Sequence, residues 1–191
     1  MTTTESGNIP VWDPVVRIFH WTLALSFLVA WITEDELMTP HVWAGYLITT
    51  LITIRIVWGF IGTPHARFRD FVYSPAVIRS YIRKMLSRSE PRYLGHNPAG
   101  GVMVTLLILS LLITVISGIA LYGNTDLAGP MAGIFQGEYS ADIFEEVHEF
   151  FANFILFLVI LHVGGVIWSS FAHRENLVRS MLTGVKEAKE S

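Results

Sequence analysis

The chain has 191 residues, of which 52% are hydrophobic and 15% are charged, with a net charge of −3 and a mean hydropathy of +0.49. Soluble domains carry charge on about a quarter of their residues, so this composition predicts an integral membrane protein forming one helical bundle. The lack of cysteine excludes disulfides, thiolate-held iron–sulfur clusters, cysteine zinc sites and covalent c-type haem attachment. Any metal or haem must therefore be held by histidine, methionine or oxygen ligands.

Four apolar stretches near the length of a membrane span follow one another along the chain. They cover residues 18–32, 41–61, 102–122 and 150–171. Because backbone polar groups in lipid must be satisfied internally, each stretch is predicted to form a transmembrane helix. The predicted fold is all-α, an up-down-up-down bundle of four transmembrane helices. The N-terminus lacks the basic start and cleavage site of a signal peptide, so the first helix is expected to stay in the mature protein.

The distribution of lysine and arginine predicts the orientation of the bundle. The connection between helices 1 and 2 and the loop 123–147 contain none of the 13 basic residues. Since basic residues collect on the cytoplasmic side, both termini and the loop 62–101 are expected to be cytoplasmic. The chain then consists of a cytoplasmic segment 1–14, a transmembrane domain 15–172 and a cytoplasmic tail 173–191.

The cytoplasmic loop contains a predicted helix of its own. Ser74 is a favourable N-cap and Pro75 suits the first helical position. Apolar residues then recur at helical spacing with basic residues between them: Ile78, Tyr81, Ile82, Met85 and Leu86, with Arg79, Arg83, Lys84 and Arg88. This helix is expected to lie on the lipid of the inner leaflet, although a solvated helix folded back on the bundle has the same pattern. The loop 123–147 is expected to cap the outer end of the bundle.

The last apolar stretch contains two histidines, His148 and His162, fourteen residues apart. On an α-helix, fourteen residues rise ~21 Å and complete nearly four turns. Both imidazoles therefore face one side, near opposite edges of a hydrocarbon layer ~30 Å thick. Polar side chains inside a membrane span are costly and usually functional, so this pair suggests two cofactors stacked across the bilayer. Core histidines bonded to neighbouring helices are the alternative.

The topology sorts the other histidines by depth. His20 lies at the inner end of helix 1 and His41 at the outer end of helix 2, which pairs His20 with His162 and His41 with His148. Two histidines on facing helices can hold one haem iron axially, and this leaves no open position for a substrate. The matching depths favour two haems over core histidines. The remaining histidines are expected to be surface or supporting residues: His65, His96 and His173.

Arginine and glycine residues are predicted to complete the haem sites. Arg55 lies fourteen residues inward of His41, at the depth of the inner pair, where an unpaired guanidinium would be costly. Haem propionates would supply its partners, with help from Arg17, whereas snorkelling of Arg55 to the headgroups is the alternative. Four glycines would let a flat macrocycle approach the helices or would serve helix packing: Gly45, Gly118, Gly164 and Gly165.

Seven motifs resemble one family over most of the chain, from residue 11 to about residue 181. They are RIFHW (17–21), HVWAGY (41–46), RIVWGFIGT (55–63), GHNPAGG (95–101), SGIALY (117–122), VHE (147–149) and LHV (161–163). Together they are similar to prokaryotic cytochrome b561, a family that overlaps the cytochrome b subunits of nickel–iron hydrogenases. The resemblance implies a four-helix protein of the bacterial inner membrane with two non-covalent b haems, which passes electrons between the quinone pool and a periplasmic partner. The residues that match the haem ligands of the family are His20, His41, His148 and His162.

The resemblance leaves related functions to separate. In hydrogenase subunits of this type the fourth helix tends to carry Trp-His-Arg where this chain has Val147-His148-Glu149, so stand-alone b561 proteins fit that helix better. A haem-bearing anchor for a periplasmic oxidoreductase such as nickel–iron hydrogenase remains an alternative. So does a superoxide:quinone oxidoreductase, although an acidic outer face would repel a small anion.

The outer face also predicts the kind of partner. Outside the spans its charged residues are all acidic: Glu34, Asp35, Glu36, Asp126, Glu138, Asp142, Glu145 and Glu146. Such a face steers a basic protein toward the cofactor near His148, so the expected partner is a periplasmic c-type cytochrome or another redox subunit. Alternatively, these acids only follow from the charge bias that sets topology. No nucleic-acid partner is expected, and no spacing assigns a quinone site.

Overall fold

The computed structural model describes residues 7–34 and 36–188, so the predicted outer-face residue Asp35 lies outside the described residues. Six α-helices and two short strands make up this part of the chain. In chain order they are β1 (Asn8–Pro10), α1 (Pro14–Ile32), α2 (Met38–Ile61), α3 (Pro75–Leu86), α4 (Pro98–Thr125), α5 (Glu138–His173), α6 (Leu177–Thr183) and β2 (Val185–Glu187). A single 3₁₀ turn, Phe68–Asp70, lies between α2 and α3.

Four of the described helices, α1, α2, α4 and α5, are long and apolar enough to cross a membrane. The predicted all-α membrane bundle of four spanning helices is thereby confirmed. Each helix extends beyond the apolar stretch that predicted it. Helix α1 begins at Pro14 because Asp13 caps it, with Oδ1 accepting from the backbone N–H of Val16 at 3.0 Å.

Helix α5 has 36 residues and begins at Glu138, well before the predicted start near residue 150. Residues 138–147 therefore belong to a helix and not to the expected loop. The apolar run ends where charged residues begin, but the helix continues because Phe144 packs on Phe135, with ring centroids 5.0 Å apart. Glu138 in the first turn also suits the positive end of the helix dipole.

The loop before α5 folds back as the predicted cap. The N–H of Gly133 donates to the carbonyl of Gly123 at the end of α4, at 3.3 Å. Gly129 has φ of 77°, and a Cβ there would lie only 2.5 Å from the hydroxyl oxygen of Tyr46. This close approach requires glycine and holds the loop against α2 as well as α4.

The chain divides into two compact units, and each long helix contributes one end to each of them. The first, here called the basic unit, comprises residues 1–21, 55–103 and 162–191 and contains all 13 lysines and arginines. The second, here called the acidic unit, comprises residues 22–54 and 104–161 and has acidic residues but no lysine or arginine.

In the basic unit the two chain ends form a small antiparallel sheet. Strand β1 pairs with β2, with Ile9 opposite Lys186. The buried carboxylate of Glu175 contacts Arg92 and lies 3.4 Å from Nζ of Lys186. Burial lowers the pKa of Lys186, and Glu175 partly offsets this effect. The predicted segment 1–14 and tail 173–191 are thus joined through β1 and β2.

The predicted helix after Ser74 is present as α3. Ser74 occupies the N-cap position, but its side chain makes no capping hydrogen bond, so Pro75 at the first helical position is the main start signal. Tyr81 is buried against the basic unit, whereas Ile82 and Leu86 are exposed. This leaves an apolar edge beside the basic residues, as expected for a helix on a lipid surface.

Candidate haem-binding sites

Within the acidic unit, His41 of α2 and His148 of α5 face each other with ring centroids 6.0 Å apart. Nδ1 of His41 lies 2.9 Å from the carbonyl oxygen of Ala30, and Nδ1 of His148 lies 2.8 Å from that of Thr114. Because a carbonyl can only accept, each Nδ1 carries the proton and donates. Each Nε2 is therefore left with a free lone pair, as in histidines that bind a metal.

The same two rings line an apolar cavity of the acidic unit, together with aromatic residues such as Trp31 and Tyr122. Gly118 of α4 also lines it, and a Cβ at this position would lie 2.7 Å from Cε1 of His148. No real Cβ contact is this short, so glycine is needed for the His148 ring to lie against α4. From the sequence, Gly118 was expected only to let a macrocycle approach the helix or to serve helix packing, and the contact with His148 was not predicted.

Within the basic unit, His20 of α1 and His162 of α5 form the second pair, with ring centroids 6.2 Å apart. The ring of His20 also packs edge-on against Trp21 at 5.1 Å. Nδ1 of His20 is buried and has no hydrogen-bond partner in the part of the chain that the structure describes. The two pairs are thus equally close, but the basic unit does not fix its first ligand through a backbone carbonyl.

Both separations suit two imidazoles bound to one metal ion between them. A bond from a metal ion to an imidazole nitrogen is about 2 Å long, and the centre of the ring lies about 1 Å beyond that nitrogen. Each ring centre would therefore lie about 3 Å from the metal ion, and two rings on opposite sides of it would be about 6 Å apart. The observed separations are 6.0 and 6.2 Å. Within residues 7–34 and 36–188 no group of three or more histidine or acidic ligands converges. A porphyrin, which supplies four nitrogens of its own, fits this donor set.

Arg55 is buried in the basic unit, with a relative exposure of 3%. Its guanidinium lies over the rings of Phe68 and Phe71, at 5.4 and 5.6 Å from their centroids, and Nη1 has no hydrogen-bond partner. The side chain does not snorkel outward. Instead it presents an unsatisfied cation at the level of α2 where the sequence predicted a haem propionate.

Arg17 is held by the C-terminal part of the basic unit. One guanidinium nitrogen donates to the carbonyl of Leu182, whereas Nε is buried without a partner. Gly184, with φ of 87°, follows α6, and a Cβ there would lie 3.2 Å from Nη1 of Arg17. Arg17, the predicted second partner of the propionates, thus has one guanidinium nitrogen bonded to the protein and its Nε without a partner among the described residues.

Asp13 is the acidic residue whose charge acts on Arg55. Its carboxylate accepts from Trp58 Nε1 at 3.1 Å, from Thr63 Oγ1 at 2.5 Å and from the N–H of Val16. Burial acts to raise the pKa of Asp13, but these hydrogen bonds outweigh it and lower the pKa below its usual value. The carboxylate is therefore ionised and already occupied by three donors.

The three remaining histidines lie in the basic unit, and His96 differs from the other two in the burial of its ring. His65 lies in the loop after α2 with φ of 70° and packs on Gly95, whereas His173 ends α5. His96 instead has a buried Nδ1 without a partner. Burial, together with the charge of Arg55, lowers its pKa to about 3, so the ring is neutral. The sequence marked this position only through the motif GHNPAGG and its place before a predicted transmembrane helix.

A membrane bundle with paired histidines and no cysteine fits a membrane cytochrome of the b type, in which haem is bound non-covalently. The chain belongs to the prokaryotic cytochrome b561 family, whose model matches residues 11–184. The resemblance seen in the motifs is therefore confirmed. The protein is a membrane electron-transfer protein that carries haem b.

Curated relatives match over nearly the whole chain. A probable Ni/Fe-hydrogenase B-type cytochrome subunit of Rhizobium leguminosarum bv. viciae is 26% identical over 97% of this chain and 92% of the relative. Proteins with the same description from Rhodobacter capsulatus and Cupriavidus necator are 24% and 25% identical, and cover 96% and 94% of this chain and 83% and 87% of the relatives. No solved structure matches the chain.

Proposed function

We propose that the protein carries electrons across the bacterial inner membrane between the quinone pool and a redox partner on the periplasmic side. Two b haems would be held, one by His20 and His162 and one by His41 and His148. The observation that carries the proposal is the separation of the two ring pairs, 6.2 and 6.0 Å, which suits axial ligation of one iron by each pair. Haem b supplies a one-electron Fe(III)/Fe(II) couple at such a position.

The side chains and backbone would orient the histidine ligands, supply positive charge for the propionates and keep other molecules from the iron. The carbonyls of Ala30 and Thr114 fix the tautomers of the histidines in the acidic unit. In the basic unit, Arg17 and Arg55 would receive propionate carboxylates, because each has a buried nitrogen without a partner among the described residues. Two histidines would hold each iron, so the protein is suited to transfer electrons and not to bind a small substrate at iron.

The orientation follows from the charge of the two units. All lysines and arginines lie in the basic unit, so the basic unit is the cytoplasmic side under the positive-inside rule, and both termini are cytoplasmic. The acidic unit then faces the periplasm. A cysteine-reactivity scan of single-cysteine variants in intact cells, at Ser89 and at Gln136, tests this orientation, because only Gln136→Cys should react with an impermeant reagent.

The content and ligation of haem test the proposal most directly. Purified protein should contain two haems per chain in pyridine haemochrome analysis, both low-spin. Carbon monoxide should leave the reduced spectrum almost unchanged, because no axial position is open. A single haem per chain, or a large spectral change with carbon monoxide, would contradict the proposal.

The acidic unit supports a basic protein as the periplasmic partner. Its described outer acids are exposed: Glu34, Glu36, Asp126, Glu138, Asp142, Glu145 and Glu146. Glu145 and Glu146 lie within one turn of His148 on α5. A field of one sign around a redox site steers a partner of opposite charge, and a periplasmic c-type cytochrome with a lysine-rich haem edge has the required chemistry.

Salt and charge reversal test this partner. The second-order rate of electron transfer to a basic c-type cytochrome should fall steeply as ionic strength rises to ~0.15 M, where the Debye length is about 8 Å. Glu145→Lys with Glu146→Lys should slow the rate at low salt and leave both haem spectra unchanged. The matched reversal of Arg79 and Arg83, which are exposed on α3, should not slow it. An electron-transfer rate that changes neither with salt nor with either charge reversal would mean that the acidic residues only set the membrane topology.

A second function is favoured by the relatives. The curated relatives described as Ni/Fe-hydrogenase cytochrome subunits match most of this chain, so the protein could serve as the membrane subunit of a periplasmic oxidoreductase. Mild-detergent purification from its own host separates the two functions. A stoichiometric large catalytic subunit supports the anchor, whereas quinol-dependent reduction of the isolated protein and transfer to a soluble cytochrome support the autonomous carrier.

A further inference from the structure

We propose that His96 donates a hydrogen bond from Nδ1 to a propionate carboxylate of the haem held by His20 and His162, and that it shares this carboxylate with Arg55. The inference rests on the proposed function. It assigns a positioning role to His96, which the sequence alone did not distinguish from the other loop histidines. Three observations support it: an unsatisfied donor, a ring fixed by its neighbours, and a second unsatisfied donor of positive charge nearby.

The first observation is the unsatisfied donor itself. Nδ1 of His96 is buried and has no hydrogen-bond partner among the described residues. Buried polar atoms of side chains almost always have a partner, because a lone donor loses its bonds to water and gains nothing. In the tautomer that carries the proton on Nδ1, this atom is a donor that needs an acceptor from outside the described polypeptide.

The second observation is that the ring cannot easily turn to find another partner. Trp12 and Phe71 pack on it, with centroids 4.8 and 5.0 Å from that of His96. The backbone carbonyl of His96 accepts from the hydroxyl of Tyr73 at 3.1 Å. Next in the chain, the side chain of Asn97 caps α4 by accepting from the N–H of Gly100 at 2.7 Å. The donor is thus held in place before any ligand arrives.

The third observation identifies the acceptor as an anion. Phe71 packs on His96 and also lies under the guanidinium of Arg55, and Nη1 of Arg55 is likewise without a partner. Phe71 thus contacts both His96 and Arg55, and the charge of Arg55 acts on His96. Asp13 is the acidic residue whose charge acts on Arg55, and its carboxylate already accepts three hydrogen bonds.

A carboxylate satisfies both donors at once, because it has two oxygens and a negative charge that offsets Arg55. A neutral carbonyl, such as that of a quinone, could accept from His96 but would leave the buried charge of Arg55 uncompensated. Haem b carries two propionates, and His20 and His162 belong to the same unit as His96 and Arg55. The propionate is therefore the acceptor that the charges favour.

The experiment uses full-length protein carrying His41→Ala, which should retain only the haem of the basic unit. In this background His96→Leu removes the donor, whereas His96→Asn keeps an amide nitrogen near the position of Nδ1. The midpoint potential should shift downward in His96→Leu, because the propionate charge is less neutralised, and by less than half as much in His96→Asn. The propionate bending band in the resonance Raman spectrum should shift in His96→Leu and return in His96→Asn. His96→Phe, which keeps an aromatic ring against Trp12, replaces His96→Leu if the leucine variant does not fold.

A control and the contrary outcomes complete the test. His65→Asn changes a neighbouring histidine whose φ of 70° asparagine tolerates, and it should alter neither readout. An unchanged potential and Raman band in His96→Leu would show a packing histidine only. Unchanged potentials with loss of quinol-dependent reduction would assign the hydrogen bond to a neutral quinone, and this also overturns the inference. A His41→Ala protein without any haem would overturn the proposed function itself.

Discussion

The acidic and basic units hold their histidine pairs in different ways. The ring separations are nearly equal, 6.0 Å for His41 and His148 and 6.2 Å for His20 and His162. In the acidic unit both rings are bonded to backbone carbonyls. Among the described residues of the basic unit, buried side-chain nitrogens without a hydrogen-bond partner remain instead: Arg17 Nε, His20 Nδ1, Arg55 Nη1 and His96 Nδ1.

Under the proposed function, this difference predicts two modes of haem binding. In the acidic unit, backbone carbonyls already orient the two proposed ligands, so we expect little rearrangement there when haem binds. The basic unit instead collects unsatisfied donors, which become satisfied only when an anionic group binds. We therefore expect haem binding to stabilise the basic unit more than the acidic unit, and we expect the charge of the propionates to matter more there.

Removal of the proposed histidine ligands should have the largest effect on haem content. It also tests whether the two units each hold one haem. His20→Ala and His162→Ala should each abolish the same haem, and His41→Ala and His148→Ala should each abolish the other. A non-covalent haem held by two histidines loses one of its two protein bonds to iron, so about half of the haem per chain should be lost in each variant. Redox titration distinguishes the components, and loss of the same component in His20→Ala and His41→Ala would contradict the pairing.

Gly118→Ala should have the next largest effect and should act on the acidic unit alone. The added Cβ would lie 2.7 Å from Cε1 and 2.8 Å from Nδ1 of His148, so the ring must leave its bond to Thr114. Occupancy of the haem held by His41 and His148 should fall by more than half, measured by redox titration. Gly7→Ala is the control, because Gly7 lies away from all four histidines and a Cβ there meets nothing within 4 Å. Equal losses from both haems would mean general damage to the bundle.

Arg55→Leu should produce a smaller effect, confined to the basic unit. A nearby cation stabilises the reduced and less positive haem, so its removal should lower the midpoint potential, by an amount on the order of tens of millivolts at ~10 Å in a protein interior. Arg55→Lys keeps the charge and should restore most of the shift. The potential of the haem in the acidic unit should not move in either variant. An unchanged or raised potential of the haem in the basic unit would exclude a propionate role for Arg55.

The features that the sequence predicted are those with a local signal. Hydropathy predicts the four spanning helices, and the fourteen-residue spacing on α5 pairs histidines by depth because a helix has a fixed rise and turn. The structure brings those same rings together. The hydropathy signal fails at the start of α5, where residues 138–147 are helical although charged, because packing of Phe144 and Phe135 supports the helix.

The features that the sequence missed depend on contacts between distant parts of the chain. Nothing local predicts that Val185–Glu187 pairs with Asn8–Pro10, or that Glu175 joins Arg92 and Lys186. His96 looked like other loop histidines because its burial comes from Trp12 and Phe71, which are distant in sequence. The motif containing His96 resembled the family but did not indicate what its side chain contacts.

Asp13 should give the smallest effect, and it tests whether the basic unit can be loosened alone. Asp13 caps α1 and accepts from Trp58 and Thr63 at the end of α2, so it ties together the helices that carry His20 and Arg55. Loss of an N-cap costs about 0.5–2 kcal/mol. Asp13→Ala should therefore lower the temperature at which the haem of the basic unit is released by a few degrees, while Asp13→Asn, which still caps, should lower it less. The haem of the acidic unit should be released at an unchanged temperature.

Acid should erase the difference between wild type and Asp13→Ala. The pKa of Asp13 is lowered from its ordinary value of 3.8, because hydrogen bonds to the carboxylate outweigh the effect of burial, which is to raise it. The ionised form therefore stabilises the folded state above the unfolded pKa, and this stabilisation is lost as the pH falls through the lower, folded pKa. Release temperatures measured from pH 7 down to about pH 3 should converge for wild type and Asp13→Ala only below about pH 4. If the two proteins differ equally at all pH values, the contribution of Asp13 comes from packing and not from its charge.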